Sequence, residues 1–219
     1  MDYRDVLARS EPFASLDASA VSVVAAAARV EEVERNAMIF AEGDPAETLY
    51  LVLSGRVAIA NRSADGRESV VALMDAGDLF GEMGLFDGEG RSAGARALDL
   101  CSLLCVPYGP VRVAIEQHPA VLWDALALMA RRLRTTDAAL ADNVFLDVLG
   151  RTAKRLLELS GGAEEFALPI TQEELAGIVG ASRERVNKAI ATFVRLGWID
   201  QRGRHYHIVR RDQLAQRSR

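Results

Sequence analysis

One stripe of side chains constrains this chain more than any other feature. Leu122, Leu126, Met129, Leu133, Thr136, Leu140 and Asn143 follow one another at alternating spacings of four and three. A period of 3.5 residues sustained over three repeats is a heptad seam, and it predicts a helix over residues 120–146. A lone helix cannot bury such a stripe. Its natural partner is the same helix of a second subunit; the alternative is packing against the chain's own neighbouring domain. The seam is narrower than an ordinary core-facing stripe, which favours the second subunit. Thr136 and Asn143 place polar groups inside it, where they cost stability, fix register or face a ligand.

Ahead of the seam the period changes. Short apolar runs at 38–40, 49–53, 57–60, 70–74, 79–80, 93–97 and 100–106 alternate with turn signals: Gly43-Asp44-Pro45, Ser54-Gly55, Asp65-Gly66, Gly77-Asp78 and Gly81. Many short strands cornered by glycine predict a small β-barrel or sandwich. Residues 15–29 read as a short amphipathic or buried helix before it.

After the seam, residues 148–159 are an amphipathic helix ended by Ser160-Gly161-Gly162. Thr171-Gln172-Glu173-Glu174 is a capping box that opens a helix running to Val179 and stopping at Gly180. Ser182 then caps a second helix over 183–196, ended by Gly197. Ala176 is small where the two helices cross, and Val179, Val186 and Ile190 fill the joint. Helix, glycine turn, helix is the helix-turn-helix pattern. Residues 198–201 and 204–209 around Arg202-Gly203 read as a β-hairpin wing.

Charge supports two jobs on one chain. From Asp147 onward there are 13 Lys and Arg against 9 Asp and Glu; before it, 13 against 22. The basic half suits a polyanionic partner. With 50% hydrophobic and 26% charged residues the profile is that of a soluble globular protein. No run approaches the ~20 apolar residues that span a bilayer, and the first residues lack an apolar signal core. The expected location is the cytoplasm, with no membrane partner. Cys101 and Cys105, four apart, share one face of a strand as reduced core residues. Their Cα atoms would lie ~13 Å apart in an extended chain, too far for a disulfide. No metal-ligand spacing occurs, so no metal site is expected.

Two constellations carry chemistry. In the second helix of the pair, Arg183, Glu184 and Lys188 stand at the N-terminal end, where a recognition helix meets base edges. Arg and Lys suit guanine O6 and N7, and Glu accepts from cytosine N4. The alternative is a solvated face with an i, i+4 Glu–Lys pair. Ser182 caps that end, and Arg202 and Arg204 on the wing suit phosphates. In the barrel, Gly81-Glu82-Met83-Gly84-Leu85 precedes Arg91-Ser92-Ala93. Arg91 and the Ser92 hydroxyl can hold a phosphodiester. Glu82 can accept from a ribose hydroxyl, and Gly81 lets main chain approach the sugar-phosphate. A structural Glu82–Arg91 salt bridge is the other reading.

The motif Gly77-Asp78-Leu79-Phe80-Gly81-Glu82-Met83-Gly84-Leu85 with Arg91-Ser92-Ala93 resembles the cyclic-AMP receptor protein family of bacterial regulators. So do Val179-Gly180-Ala181-Ser182-Arg183-Glu184-Arg185-Val186 and the join Phe145-Leu146-Asp147-Val148-Leu149-Gly150-Arg151. The likeness covers nearly the whole chain. It implies an α+β protein: a cyclic-nucleotide-binding β-roll (a jelly-roll-like barrel) over 1–119, a dimerisation helix and hinge over 120–146, and a winged helix-turn-helix over 147–219. Gly81, Glu82 and Met83 would line the ribose side, and Arg91 and Ser92 the cyclic phosphate. Thr136 would bond the purine, and Asp137 would approach the purine held in the other subunit. Arg183, Glu184 and Lys188 would read one half of a pseudo-palindrome in double-stranded DNA as a homodimer, with RNA polymerase as a further partner. Cyclic AMP is the implied allosteric effector, with no catalytic cofactor.

The sequence departs from that pattern at Asp137, where Ser or Asn is usual. An ionised Asp accepts from the adenine amino group or from guanine N1–H and its 2-amino group, so cyclic GMP stays open. Lys188 replaces an arginine and loses the bidentate fork. Glu89 brings negative charge near Arg91. An enzyme reading lacks residues: His118, His205 and His207 are scattered, and no Ser-His-Asp grouping or nucleotide-hydrolysis loop is present. A ligand-independent regulator would need a degenerate pocket, and Glu82 with Arg91-Ser92 is intact.

Overall fold

The structure is a computed structural model that describes residues 3–63 and 68–219. The hairpin turn expected at Asp65-Gly66 lies outside the described residues. The chain divides into two compact units, residues 1–67 with 71–134, and residues 68–70 with 135–219.

In the first unit, α1 (Tyr3–Arg9), a 3-10 turn (Phe13–Ser15) and α2 (Ala18–Ala27) come first. The expected helix over 15–29 is thus shorter at both ends. Asp17 caps it, its carboxylate accepting from the Ala20 amide at 2.8 Å. At the other end Arg29 already belongs to β1 (Arg29–Val33), which pairs with residues 101–105. Then follow β2 (Met38–Phe40), β3 (Thr48–Ser54), β4 (Val57–Arg62), β5 (Glu68–Met74), β6 (Leu79–Phe80), α3 (Met83–Asp87), β7 (Gly94–Ala97), β8 (Cys101–Pro107) and α4 (Tyr108–Gln117). One sheet has the order β1-β8-β3-β6 and the other β2-β7-β4-β5.

The β3–β8 pair shows why these runs are strands. Leu49 pairs with Val106 and Leu51 with Leu104, while Tyr50 pairs with Cys105 and Val52 with Leu103. Successive side chains point to opposite faces. Leu49, Leu51, Leu104 and Val106 pack with Leu7, Phe13, Val21, Val24 and Val111 from the helices. Val52, Cys101, Leu103 and Cys105 pack with Val57, Met74, Phe80, Ala95 and Ala97 between the sheets. Buried on both faces, these strands read as continuous apolar runs rather than alternating ones. Both cysteines are free and buried, as the spacing predicted. Burial pushes the Cys105 thiol up to about 12.

The long helix α5 spans Val121–Phe145. The second unit holds its later part, then α6 (Val148–Leu159), β9 (Glu165–Ala167), α7 (Gln172–Val179), α8 (Arg183–Arg195), β10 (Ile199–Arg202), β11 (His205–Ile208) and α9 (Arg211–Arg217). The wing gains a strand that the sequence pattern left out, since β9 pairs with β11. Thr152, Ala153 and Leu156 of α6 are buried with Leu175 and Val179 of α7 and Val186, Ile190 and Phe193 of α8. Among the described residues no helix is long and apolar enough to cross a membrane.

Leu104 is fully buried on the helix side of β8. Leu104→Ala is expected to lower the unfolding free energy by about 3 kcal/mol through lost burial and the cavity left behind, read as a lower urea midpoint.

Candidate functional site

The first unit gathers the barrel residues singled out by sequence at one corner. After β6 the chain turns at Gly81 with φ of +76°, and Glu82 stands just ahead of α3 without capping it through its side chain. A Cβ at Gly81 would stand 2.7 Å from Arg91 Nη1, so only glycine admits both this turn and the guanidinium beside it. Glu82 and Arg91 are buried, 1% and 7% exposed.

These two do not pair with each other. Arg91 Nη1 donates to the Gly81 carbonyl at 2.8 Å and to the Tyr108 hydroxyl at 3.3 Å, and Nη2 donates to the Thr48 carbonyl at 2.7 Å. Its Cζ lies 4.2 Å from the centre of the Phe40 ring and 5.5 Å from that of Tyr50. Those rings, with Phe80, form a cluster whose π-faces attract the cation. The Tyr108 hydroxyl also donates to the Gly81 carbonyl. Burial pushes the Tyr108 phenol up, so the ring remains a donor. Glu82 Oε1 pairs instead with Arg132 of α5, whose Nη2 donates to the Leu79 carbonyl. Two atoms are left over: Glu82 Oε2 and Arg91 Nε are buried with no hydrogen-bond partner. Buried polar atoms of this kind call for a ligand or water.

Ser92 is exposed, and its hydroxyl donates to Met83 Sδ at 3.2 Å. Glu89 is exposed too, and among the described residues no ion pair joins it to Arg91. Thr136 and Asp137 are exposed on the stretch of α5 that counts with the second unit. The single chain therefore assembles Gly81, Glu82, Met83, Arg91 and Ser92, while the two purine-side residues stand on the other unit.

The sequence reading missed Arg132 and Tyr108. Arg132 left a signal, lying one helical turn before Thr136 on the same face of α5. Tyr108 left none: it is the first residue of α4, far from Arg91 along the chain.

In the second unit the capping box forms in both directions. The Glu174 amide donates to Thr171 Oγ1 at 3.2 Å, and the Thr171 amide to Glu174 Oε2 at 2.6 Å. Gly180 makes the turn at φ of +66°. Ser182 caps α8, accepting from the Arg185 amide at 3.4 Å. Val186, Ala189, Ile190 and Phe193 are the buried face. Arg183, Glu184, Asn187 and Lys188 are therefore left in solvent. Lys188 Nζ sits 2.7 Å from Glu184 Oε1. The lysine holds the Glu184 carboxyl below its usual range. A cleft of ≈ 290 Å³ beside them is lined by Thr171, Gln172, Glu173, Arg183, Gly203 and Arg204. Arg202 is exposed near the wing tip. Arg204 is exposed as well, but its Nε and Nη2 donate to the Leu168 carbonyl at 3.2 and 3.0 Å, which fixes the base of the wing.

Arg151 is a further residue missed. It donates to the carbonyls of Leu146 and Val179 at 2.8 Å each, tying the end of α5 to the end of α7. Asp147 caps α6, accepting from the Gly150 amide at 2.8 Å, a bond that holds its carboxyl below the usual range. Among the described residues no group of three or more His, Cys, Asp or Glu could hold a metal ion.

Comparison with known proteins gives two domains and a set of relatives. Residues 30–118 match a family model described as a cyclic nucleotide-binding domain, and residues 150–217 one described as a Crp-like helix-turn-helix domain. A CRP-like cAMP-activated global transcriptional regulator of Mycobacterium tuberculosis is 38% identical, over 98% of this chain and 99% of its own length. The cAMP-activated global transcriptional regulator CRP of Escherichia coli is 37% identical, over 68% of this chain and 74% of its own. Among solved structures, the c-di-GMP responsive global regulator CLP of Xanthomonas campestris superposes with a TM-score of 0.77 at 28% identity, over 88% of this chain and 99% of that one. FixK2 of Bradyrhizobium japonicum shares the fold, with a TM-score of 0.79 at 24% identity over 88% and 98%.

Arg132→Ala would strand the buried Glu82 carboxylate. We expect a loss of about 3 kcal/mol in unfolding free energy, with Glu82→Gln added in the same chain recovering much of it by removing the buried charge. Urea unfolding of the three variants measures both.

Proposed function

The chain belongs to the CRP/FNR family of transcriptional regulators: it is a cyclic-nucleotide-responsive, DNA-binding regulator rather than an enzyme. From that premise we propose that its effector is cyclic AMP, held where Glu82, Arg91 and Ser92 meet. The orphaned buried atoms carry this reading, because Arg91 Nε is an unused donor and Glu82 Oε2 an unused acceptor. The cyclic phosphate takes Arg91 Nε–H and the Ser92 hydroxyl, and a ribose hydroxyl donates to Glu82. Gly81 and Met83 line the sugar side. Thr136 bonds the purine, and Asp137 accepts from the adenine amino group held by the partner subunit. The names of the Mycobacterium and Escherichia relatives support cyclic AMP. Cyclic GMP is the second reading, because Asp137 accepts equally from guanine N1–H and its 2-amino group.

We take residues 1–119 as the sensor, 120–146 as the dimerisation helix and hinge, and 147–219 as the DNA-binding domain. Leu122, Leu126, Leu133 and Leu140 of the seam are exposed in the single chain, at 41%, 58%, 62% and 65%. The same helix of a second copy covers them. The homodimer sets two recognition helices about 34 Å apart on a pseudo-palindromic site. Ser182, Arg183, Glu184 and Lys188 meet one half-site, with Arg202 and Arg204 on phosphates. Ligand bound at α5 favours one arrangement of the dimer by its differential affinity for the two states. The setting is the cytoplasm, where RNA polymerase is a further partner.

Calorimetric titration of nucleotide-free protein with cyclic AMP and cyclic GMP tests the effector; preference for cyclic GMP overturns the cyclic AMP assignment and leaves the site. Arg91→Leu is expected to weaken nucleotide binding at least about tenfold and to abolish nucleotide dependence in gel shifts. Sedimentation should still show a dimer. Arg202→Ala is expected to weaken binding to all DNA sequences alike and lower the salt slope by about 1. Glu184→Ala should instead relax preference at one position of the half-site, by about 1–3 kcal/mol. Gel shifts against systematically altered sites separate the two.

A further inference from the structure

Two of the ligand-site side chains are bonded to each other: the Ser92 hydroxyl donates to the thioether sulfur of Met83 at 3.2 Å. Met83 is 45% exposed, so its side chain is within reach of small solutes. A thioether is a weak acceptor and releases the Ser92 proton readily to a phosphate. We propose that Met83 is a methionine-oxidation site whose sulfoxide turns the nucleotide site off. The inference rests on the reading that Ser92 holds the cyclic phosphate.

The oxidant is hydrogen peroxide. A sulfur lone pair attacks the terminal peroxide oxygen, an S–O bond forms and the O–O bond breaks. The departing hydroxide takes the proton of the transferred oxygen and leaves as water, so sulfur loses two electrons and the peroxide gains them. The product is polar where the thioether was apolar, and reductases reverse it. Its oxygen is a strong acceptor beside the Ser92 hydroxyl. The hydroxyl then bonds to the sulfoxide in place of the phosphate, and the sulfoxide oxygen repels the phosphate oxygens. Most of the other described sulfurs give a built-in contrast, Met129 being half-buried on α5. Met74, Cys101 and Cys105 are buried, and burial raises both thiols, Cys105 to about 12, so neither is a reactive thiolate. Met38 is exposed but lies on β2, paired with Arg96.

The full chain, stripped of nucleotide, is treated with hydrogen peroxide until peptide mass spectrometry shows Met83 converted, then titrated with cyclic AMP by calorimetry. Affinity is expected to fall about tenfold or more, the worth of one hydrogen bond to a charged group, and to return after methionine sulfoxide reductase. Met83→Leu, compared with its own untreated form, should keep its affinity through the same treatment, and Met38→Leu should lose it as the parent does. Unchanged affinity with Met83 fully oxidised overturns the inference and leaves the site reading standing, as does an equal loss in Met83→Leu. If the untreated parent binds neither cyclic AMP nor cyclic GMP, the site reading itself falls and the inference with it. The parent protein before and after the reductase decides the matter even without a folded variant.

Discussion

Among the described residues of the first unit two charged side chains lie buried, Glu82 and Arg91, and the cost of burying them shapes their surroundings. An ion in low dielectric must be paired or hydrogen-bonded. Arg91 meets that demand with the Gly81 and Thr48 carbonyls, the Tyr108 hydroxyl and the Phe40 ring. Glu82 meets it with Arg132. Neither is satisfied in full, since each keeps one buried atom without a partner. The corner thus holds its charges in place while leaving one donor and one acceptor unused.

The helix α5 answers two demands at once. Val121 and Ala125 are buried, and Arg132 reaches Glu82 from a neighbouring position on the helix. Leu126, Leu133 and Leu140 stand in solvent on another face. Glu82 is therefore bonded to the same helix that carries the exposed leucine stripe. In the second unit, Arg151 links the end of that helix to the helix-turn-helix by bonding Leu146 and Val179. On the exposed face of α8, Glu184 and Lys188 form an ion pair. The ion-pair reading of that spacing is the one seen, and exposed pairs of this kind are weak.

Much of this was legible in the sequence wherever the signal was local. The capping box at Thr171 and Glu174, the glycine turn at Gly180 and the cap at Ser182 set helix ends to the residue, because a cap acts within one turn. The shared face of Cys101 and Cys105 followed from the two-residue period of a strand. The helix over 15–29 was overdrawn, because an alanine-rich run has no period to mark its ends and a pairing with β8 claims Arg29. The strands β1 and β9 carry charged, exposed residues and lack the apolar alternation that reveals a half-buried strand.

The sequence by itself determined the order of domains, the split of charge between them, the seam and the chemical character of both candidate sites. Each depends on residue type and on spacing over a few turns. Only the tertiary structure decided that Glu82 pairs with Arg132 rather than Arg91, and that Tyr108 and Thr48 hold the arginine. It also decided that Arg204 braces the wing through Leu168. These partners are separated by 17 to 50 positions, and no periodicity spans that distance. What brings them together is the packing of strands and helices around buried charges that have to be satisfied.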